Sequence, residues 1–126
     1  MHIIGLRRAF PAASYLAYAL EKMNISAMLH DRYIGQLDHR HALRAGDALI
    51  AISFAPYSAE TVDLARHAHG AGIPVVALTD THASPLAPLS AAVLTLQEVD
   101  FGAFRALSAT LALAITLAVA VGAARG

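Results

Sequence analysis

Short apolar runs alternate with amphipathic segments along most of the chain. Runs that are apolar at successive positions are typical of strands buried on both faces of a parallel sheet. The pattern therefore predicts a parallel sheet of short strands. Five strands are expected, at His2–Leu6, Ile25–His30, Ala48–Ser53, Val75–Thr79 and Ala92–Leu96.

Helical spacing of apolar residues separates these runs. It predicts helices over Phe10–Met23 and Ser58–His69, and Ser58 is a suitable N-cap for the second of them. A weaker pattern predicts a short irregular helix at Gly35–Leu43, and Phe101–Ala124 is predicted as a long final helix. Alternation of strands and helices implies right-handed crossovers. The expected fold class is therefore α/β, a three-layer, doubly wound sandwich.

The composition is that of one unusually apolar domain. The chain has 126 residues, of which 57% are hydrophobic and 14% are charged, whereas typical soluble domains are about 45–50% apolar and about 25% charged. A domain of this size has too small an interior to bury the excess. We therefore expect residues 1–126 to form a single domain whose sheet is covered on both faces and which has a large oligomer interface.

Charge and cysteine content narrow the function classes. The formal net charge is zero, so nothing indicates that this chain itself binds nucleic acid. The chain has no cysteine, which excludes a disulfide framework, a thiolate metal site and a cysteine nucleophile. No signal peptide precedes the strand that begins at His2. These features fit a cytoplasmic protein.

The uncharged segment Ala106–Ala124 allows two interpretations. Its length is close to that of a membrane span. It is rich in alanine, however, and it contains Ser108, Thr110 and Thr116. We expect a buried or interface helix rather than a tail anchor, and hence no membrane association.

Hydroxyl side chains mark the loop between the third strand and its helix. The strand ends at Ser53 and the helix begins near Ser58, where free backbone N–H groups and the helix dipole favour an anion. Ser53, Ser58 and Thr61 could add hydroxyl donors to a binding site. Equally, Ser58 could only cap the helix and Ser53 only satisfy the strand end. The spacing leaves both interpretations open.

Two further loops are expected at the same edge of the sheet. After the first strand, Gly5 allows a tight turn, and Arg7 and Arg8 could face a phosphate or a carboxylate or remain solvated surface charges. After the fourth strand, Asp80 could orient a ligand hydroxyl, although we favour capping of the short helix that follows. Ligands bind where adjacent crossovers meet at this edge, so the convergence of these loops favours a binding site.

Signatures of metal binding and of catalysis are weak. Residues two apart, such as His39 and His41, do not share a helix face, and no set of three or four convergent ligands stands out. We expect no metal ion and no cofactor. Glu60, Glu98 and His82 are the evident acid–base candidates, and they form no nucleophile–base–orienter set. An enzyme is therefore not the favoured prediction.

Four segments together resemble a known family in their order and spacing, and they cover nearly the whole chain: Gly5–Leu20, Gly46–Ala65, Val75–Leu94 and Phe104–Ala114. They resemble the SIS (sugar isomerase) domain, most of all the effector-binding half of RpiR/MurR-type bacterial transcriptional regulators. The resemblance implies a flavodoxin-like strand order, 2-1-3-4-5, in the five-stranded sheet. It also implies a homodimer or homotetramer that binds a sugar phosphate or a related anionic metabolite.

Two loops depart from the family pattern. The family loop Ser-x-Ser-Gly-x-Ser/Thr falls on residues 53–58, where Ala55 replaces the middle serine and Pro56 replaces the glycine. The family pattern Gly-x-Gly-x-Ser falls on residues 5–9 and lacks its hydroxyl at Ala9. Each missing hydroxyl removes a hydrogen bond worth on the order of 1.5–3 kcal/mol to a charged partner. Either an arginine of the first loop compensates, or the ligand differs, or binding has been lost.

The favoured function is the phosphosugar-binding and dimerisation domain of a sugar-responsive regulator. Such regulators usually carry a helix-turn-helix domain before the first sheet strand, and this chain starts at that strand. We therefore expect contact with DNA only through a helix-turn-helix part that this chain lacks. The alternatives are a stand-alone sugar-phosphate isomerase that uses Glu60 or Glu98, and an oligomerisation domain with a degenerate ligand site.

Overall fold

The computed structural model describes residues 1–30, 43–44, 46–95, 100–101 and 104–105. Two helices, α1 (Phe10–Lys22) and α2 (Ala59–Gly70), accompany a main sheet. The strands of that sheet are β1 (His2–Gly5), β2 (Met28–His30), β3 (Leu49–Ile52), β4 (Val75–Thr79) and β5 (Ala92–Thr95). Short 3₁₀ turns lie at Arg7–Ala9 and Ala87–Leu89.

The five main strands form one sheet in the order β2-β1-β3-β4-β5. All four neighbouring pairs are parallel, and β1 lies between β2 and β3. The predicted doubly wound sheet is therefore confirmed. Because the chain leaves β1 towards one edge and later continues from β3 towards the other, the carboxyl ends of β1 and β3 flank the crevice where such folds bind ligands.

Both faces of the sheet are buried. In β1, Ile3 belongs to the core that α1 covers, and its neighbour Ile4 belongs to the core on the α2 side. Leu16 of α1 and Leu64 of α2 fill these two cores. Full burial of such a side chain contributes about 1.5–3 kcal/mol. Burial of successive residues on opposite faces explains why the strands are apolar at successive positions.

The second strand is shorter than predicted because its first residues complete the end of α1. Asn24 adopts a left-handed φ of 59°, and the Ile25 amide then donates to the Leu20 carbonyl at 2.9 Å. These contacts satisfy a carbonyl at the helix end. Pairing with β1 begins only at Met28.

The prediction that the final helix begins at Phe101 is wrong. Asp100–Phe101 (β6) and Phe104–Arg105 (β7) form an antiparallel pair instead. Aromatic residues favour strands, and Gly102 disfavours a helix by about 1 kcal/mol relative to alanine. The rest of that predicted helix, and nearly all of Gly35–Leu43, lie outside the described residues. Among the residues that are described, no helix has the length and apolar character needed to cross a membrane.

Candidate functional site

A pocket of about 330 Å³ opens between the ends of β1 and β3. Its volume falls at the lower end of the range for small-molecule sites. We call it the switch-point pocket. The described residues that line it come from the two loops that follow these strands: Leu6, Arg7, Ala9, Ser53, Phe54, Pro56 and Ser58.

The two serines of the second loop hold the loop together and also line the pocket. The Ser58 amide donates to Ser53 Oγ at 3.1 Å, and the Thr61 amide donates to Ser58 Oγ at 3.4 Å. Ser58 is thus the N-cap of α2, as predicted. A hydroxyl that accepts one hydrogen bond still has its own hydrogen to donate. The structural role and a ligand-binding role are therefore compatible in the same side chains.

Thr61 lies in the core rather than at the pocket. Its side chain is fully buried in the first turn of α2, and its Oγ1 has no hydrogen-bond partner among the described residues. It is not one of the residues that line the pocket. Its backbone amide contributes to the site indirectly, by fixing the hydroxyl of Ser58.

Asp80 braces the second loop from the side of β4. Its Oδ2 accepts the Ala55 amide at 3.1 Å, and its Oδ1 accepts the Tyr57 hydroxyl at 2.5 Å. The favoured prediction that Asp80 caps the next short helix is wrong, since the N-cap of that helix is Leu86. We call the contacts of Asp80 with Ala55 and Tyr57 the loop brace.

Sequence reasoning did not single out Tyr57. Its partner Asp80 lies 23 residues further along the chain, and the two meet only because β3 and β4 are neighbours in the sheet. A tyrosine inside a serine-rich loop at a strand end was the available signal. Within that loop the Ala55–Pro56 peptide bond is cis.

The brace shifts both of its ionisable groups. Burial raises the pKa of Tyr57, and the hydrogen bond to the Asp80 carboxylate and its charge raise it further. Burial would by itself raise the pKa of Asp80, but hydrogen bonds from the Tyr57 hydroxyl and the Ala55 amide outweigh it and hold the pKa below its ordinary value. The brace therefore favours a neutral tyrosine beside a charged carboxylate.

The Tyr57 shift predicts a titration at unusually high pH. The difference between the tyrosinate absorbance of the protein and that of a Tyr57→Phe variant isolates this hydroxyl. We expect its midpoint above about 10, the ordinary tyrosine value. The stability from the brace is present below that pH and is lost as the pH rises through the folded pKa. Asp80→Asn should lower the midpoint, and a midpoint at or below about 10 in the unaltered protein would contradict the brace.

The first loop contributes an arginine in a strained backbone conformation. Arg7 has a φ of 58°, in the left-handed region, and its exposed side chain lines the pocket. No hydrogen bond or ion pair joins its guanidinium to another described residue. The side chain of Arg8 lies outside the described part of the structure.

Gly5 serves helix packing. A Cβ at this position would lie 2.9 Å from the Ala13 Cβ and 3.0 Å from the Ala9 carbonyl oxygen. The missing side chain thus lets α1 and the turn before it approach the end of β1. Gly5 is not among the residues that line the pocket.

A second polar cluster lies away from the pocket. His2 Nδ1 lies 2.9 Å from His30 Nε2, and His2 Nε2 lies 3.0 Å from Asp47 Oδ2. A hydrogen bond from the Arg44 amide lowers the pKa of Asp47, burial opposes this, and the hydrogen bond with His2 adds to the lowering. The cluster links the first two strands to the segment before β3. In the described ranges, no three His, Asp or Glu side chains are placed to hold a metal ion.

Comparison with protein families places this fold. The family model of the SIS domain matches residues 1–120, so the chain belongs to the SIS domain family. The resemblance seen in the sequence is thereby confirmed. No curated protein shows significant sequence similarity to the chain.

Solved structures share the fold. The sugar isomerase domain of an RpiR transcription factor from Sphaerobacter thermophilus matches 98% of this chain and 69% of that one, with 24% identity and a TM-score of 0.83. The Vibrio vulnificus NanR protein complexed with ManNAc-6P matches 98% of this chain with 24% identity and a TM-score of 0.77, although the match spans only 47% of that protein. An E. coli CFT073 protein in complex with arabinose 5-phosphate matches 98% of this chain and 69% of that one, with 16% identity and a TM-score of 0.81.

Proposed function

We propose that the chain binds a phosphosugar in the switch-point pocket and acts as the sensor domain of a sugar-responsive transcriptional regulator. The observation that carries the proposal is the pocket itself: it lies at the switch point of a SIS domain and brings an unpaired arginine beside two serine hydroxyls. The structures that share the fold include an RpiR transcription factor and two complexes, one with ManNAc-6P and one with arabinose 5-phosphate.

The lining supplies donors for a phosphate. The guanidinium of Arg7 presents a fork of N–H groups that suits phosphate oxygens, and Ser53 and Ser58 each retain a hydroxyl hydrogen to donate. Hydrogen bonds to a charged partner contribute about 1.5–3 kcal/mol each. These donors stand in for the hydroxyls that Ala9 and Ala55 lack.

We propose binding without turnover. Aldose–ketose isomerisation needs a base that moves a proton beside a carbonyl. None of the described residues that line the pocket carries a carboxylate or an imidazole. Glu60 lies in the first turn of α2 and is not part of the lining, and Glu98 lies outside the described residues.

The proposal includes a homodimer or homotetramer in the cytoplasm. The apolar composition supports an oligomer, as do three large side chains that remain exposed among the described residues, Tyr15, Tyr18 and Met28. Sedimentation equilibrium tests this part independently of ligand binding. A monomer at micromolar concentration would contradict it.

A thermal-shift screen with phosphosugars tests the ligand. We expect at least one of ManNAc-6P, arabinose 5-phosphate and glucose 6-phosphate to raise the Tm, since a ligand at 100 times its Kd adds about 2.7 kcal/mol to stability. Ser58→Ala should weaken binding about tenfold or more, in addition to the roughly 1 kcal/mol lost with the helix cap. The affinity is therefore measured by calorimetry rather than read from the Tm.

Ser14→Ala is the matched control for that variant. Ser14 is exposed on α1 and does not line the pocket, so its loss should leave the Kd unchanged. The proposal fails if no phosphosugar shifts the Tm, or if Ser58→Ala binds as tightly as the unaltered protein. A phosphosugar that is converted to product during the incubation would contradict the proposal of binding without turnover.

A further inference from the structure

Arg7 holds a backbone conformation that an arginine adopts only at a cost in stability. Its φ of 58° lies in the left-handed region, where the Cβ of a non-glycine residue crowds the backbone. Glycine adopts the same conformation without that penalty. A residue other than glycine at this position therefore lowers the stability of the fold unless its side chain makes a compensating contact.

The structure shows no compensating contact for this side chain. The guanidinium of Arg7 is exposed and has no hydrogen-bond or ion-pair partner among the described residues. It is also the only cationic side chain in the described lining of the pocket. The strain and the unpaired charge thus occur in the same residue, at the mouth of a cavity. Strained backbone of this kind is typically found where a ligand is held.

The rest of the lining explains why a cation is needed there. Ser53 and Ser58 already accept hydrogen bonds from backbone amides, so each has only one hydrogen left to donate. The Ala55 amide is engaged by Asp80. Leu6, Ala9, Phe54 and Pro56 complete the lining with apolar side chains.

We infer that Arg7 is the specificity-determining residue of the switch-point pocket: its guanidinium binds the phosphate of the ligand, and its strained backbone is retained for that contact at the expense of stability. The inference rests on the proposed function and adds a ligand class, a phosphate monoester in preference to the neutral sugar. A fork of donors on a permanently charged group suits this class.

The test is Arg7→Gly, which should move stability and affinity in opposite directions. Removal of the Cβ relieves the strain, so the Tm should rise by a few degrees. Removal of the guanidinium should weaken binding of ManNAc-6P or arabinose 5-phosphate by about 10- to 100-fold, the equivalent of one hydrogen-bonded charge pair. Arg7→Lys keeps both the charge and the strain but loses the fork, and we expect an intermediate affinity with an unchanged Tm.

Asn24→Gly is the matched control. Asn24 has nearly the same backbone conformation, with a φ of 59°, but it lies in the turn after α1 and does not line the pocket. Its replacement should leave the Kd unchanged, with a smaller rise in Tm because asparagine tolerates this conformation better.

The outcomes separate the inference from the proposed function. If the unaltered protein binds none of the phosphosugars, the proposed function fails and the inference fails with it. If the unaltered protein binds one of them and Arg7→Gly binds it equally well, only the inference is overturned. A variant with both a lower Tm and a lower affinity would also overturn it, because the arginine would then support the fold rather than strain it.

Discussion

Asp80→Ala is expected to lower the free energy of unfolding by about 3 kcal/mol, because it removes the charged acceptor of two hydrogen bonds at once. The Ala55 amide and the Tyr57 hydroxyl both donate to this carboxylate, and both are left without it in a partly buried loop. The loop brace also fixes the segment that carries Ser53 and Ser58. The same variant should therefore weaken phosphosugar binding, although Asp80 does not line the pocket.

Urea denaturation measures the loss, and Asp63→Ala provides the control. The Asp63 side chain is 71% exposed and pairs only with the exposed Arg66, so its removal should change stability by no more than about 0.5 kcal/mol. The pKa of Asp80 is lowered on folding. Its contribution is therefore present at neutral pH and lost as the pH falls through that lowered value. Equal losses for Asp80→Ala and Asp63→Ala at neutral pH would contradict the brace.

Gly5→Ala is expected to destabilise the fold by about 2 kcal/mol, within the range for overpacked sites. The new methyl group would meet the Ala13 side chain at 2.9 Å and the Ala9 carbonyl oxygen at 3.0 Å. The second of these atoms belongs to the backbone and cannot move aside by a rotamer change. The turn after β1 and the start of α1 must therefore shift away from the sheet.

Gly70→Ala is the matched control for this substitution. Gly70 is the last residue of α2, and a Cβ there would meet no atom within 4 Å. Alanine favours a helix over glycine by about 1 kcal/mol at interior positions, so this variant should be neutral or slightly more stable. Two variants with the same midpoint in urea would show that the close approach at Gly5 has no energetic consequence.

The sheet was predictable because each strand buries both faces. Apolar runs such as Leu49–Ile52 and Val75–Thr79 contain almost no polar alternation, and the structure places their residues in two cores on opposite sides. Element ends were less predictable. Ile25 belongs to the cap of α1 rather than to β2, because a local hydrogen bond to Leu20 outweighs the strand propensity of an isoleucine.

The candidate site was predictable in part. The positions of Ser53, Ser58 and Arg7 follow from strand ends that meet at one edge of a parallel sheet, which is a matter of topology. The roles of Asp80 and Tyr57 depend on which side chains meet across two loops, and spacing along the chain holds no such information. Gly5 illustrates the same limit, since a glycine in a turn is equally suited to a ligand and to a neighbouring helix.

The central claim is that the switch-point pocket binds the phosphate of a phosphosugar. Backbone amide shifts of isotope-labelled protein, followed by heteronuclear NMR during titration with ManNAc-6P or arabinose 5-phosphate, test it most directly. The account predicts that the largest changes fall on residues 6–9 and 53–58, and that they are lost or greatly reduced in Arg7→Gly. Changes confined to other parts of the chain, or no saturable change with any phosphosugar, would contradict it.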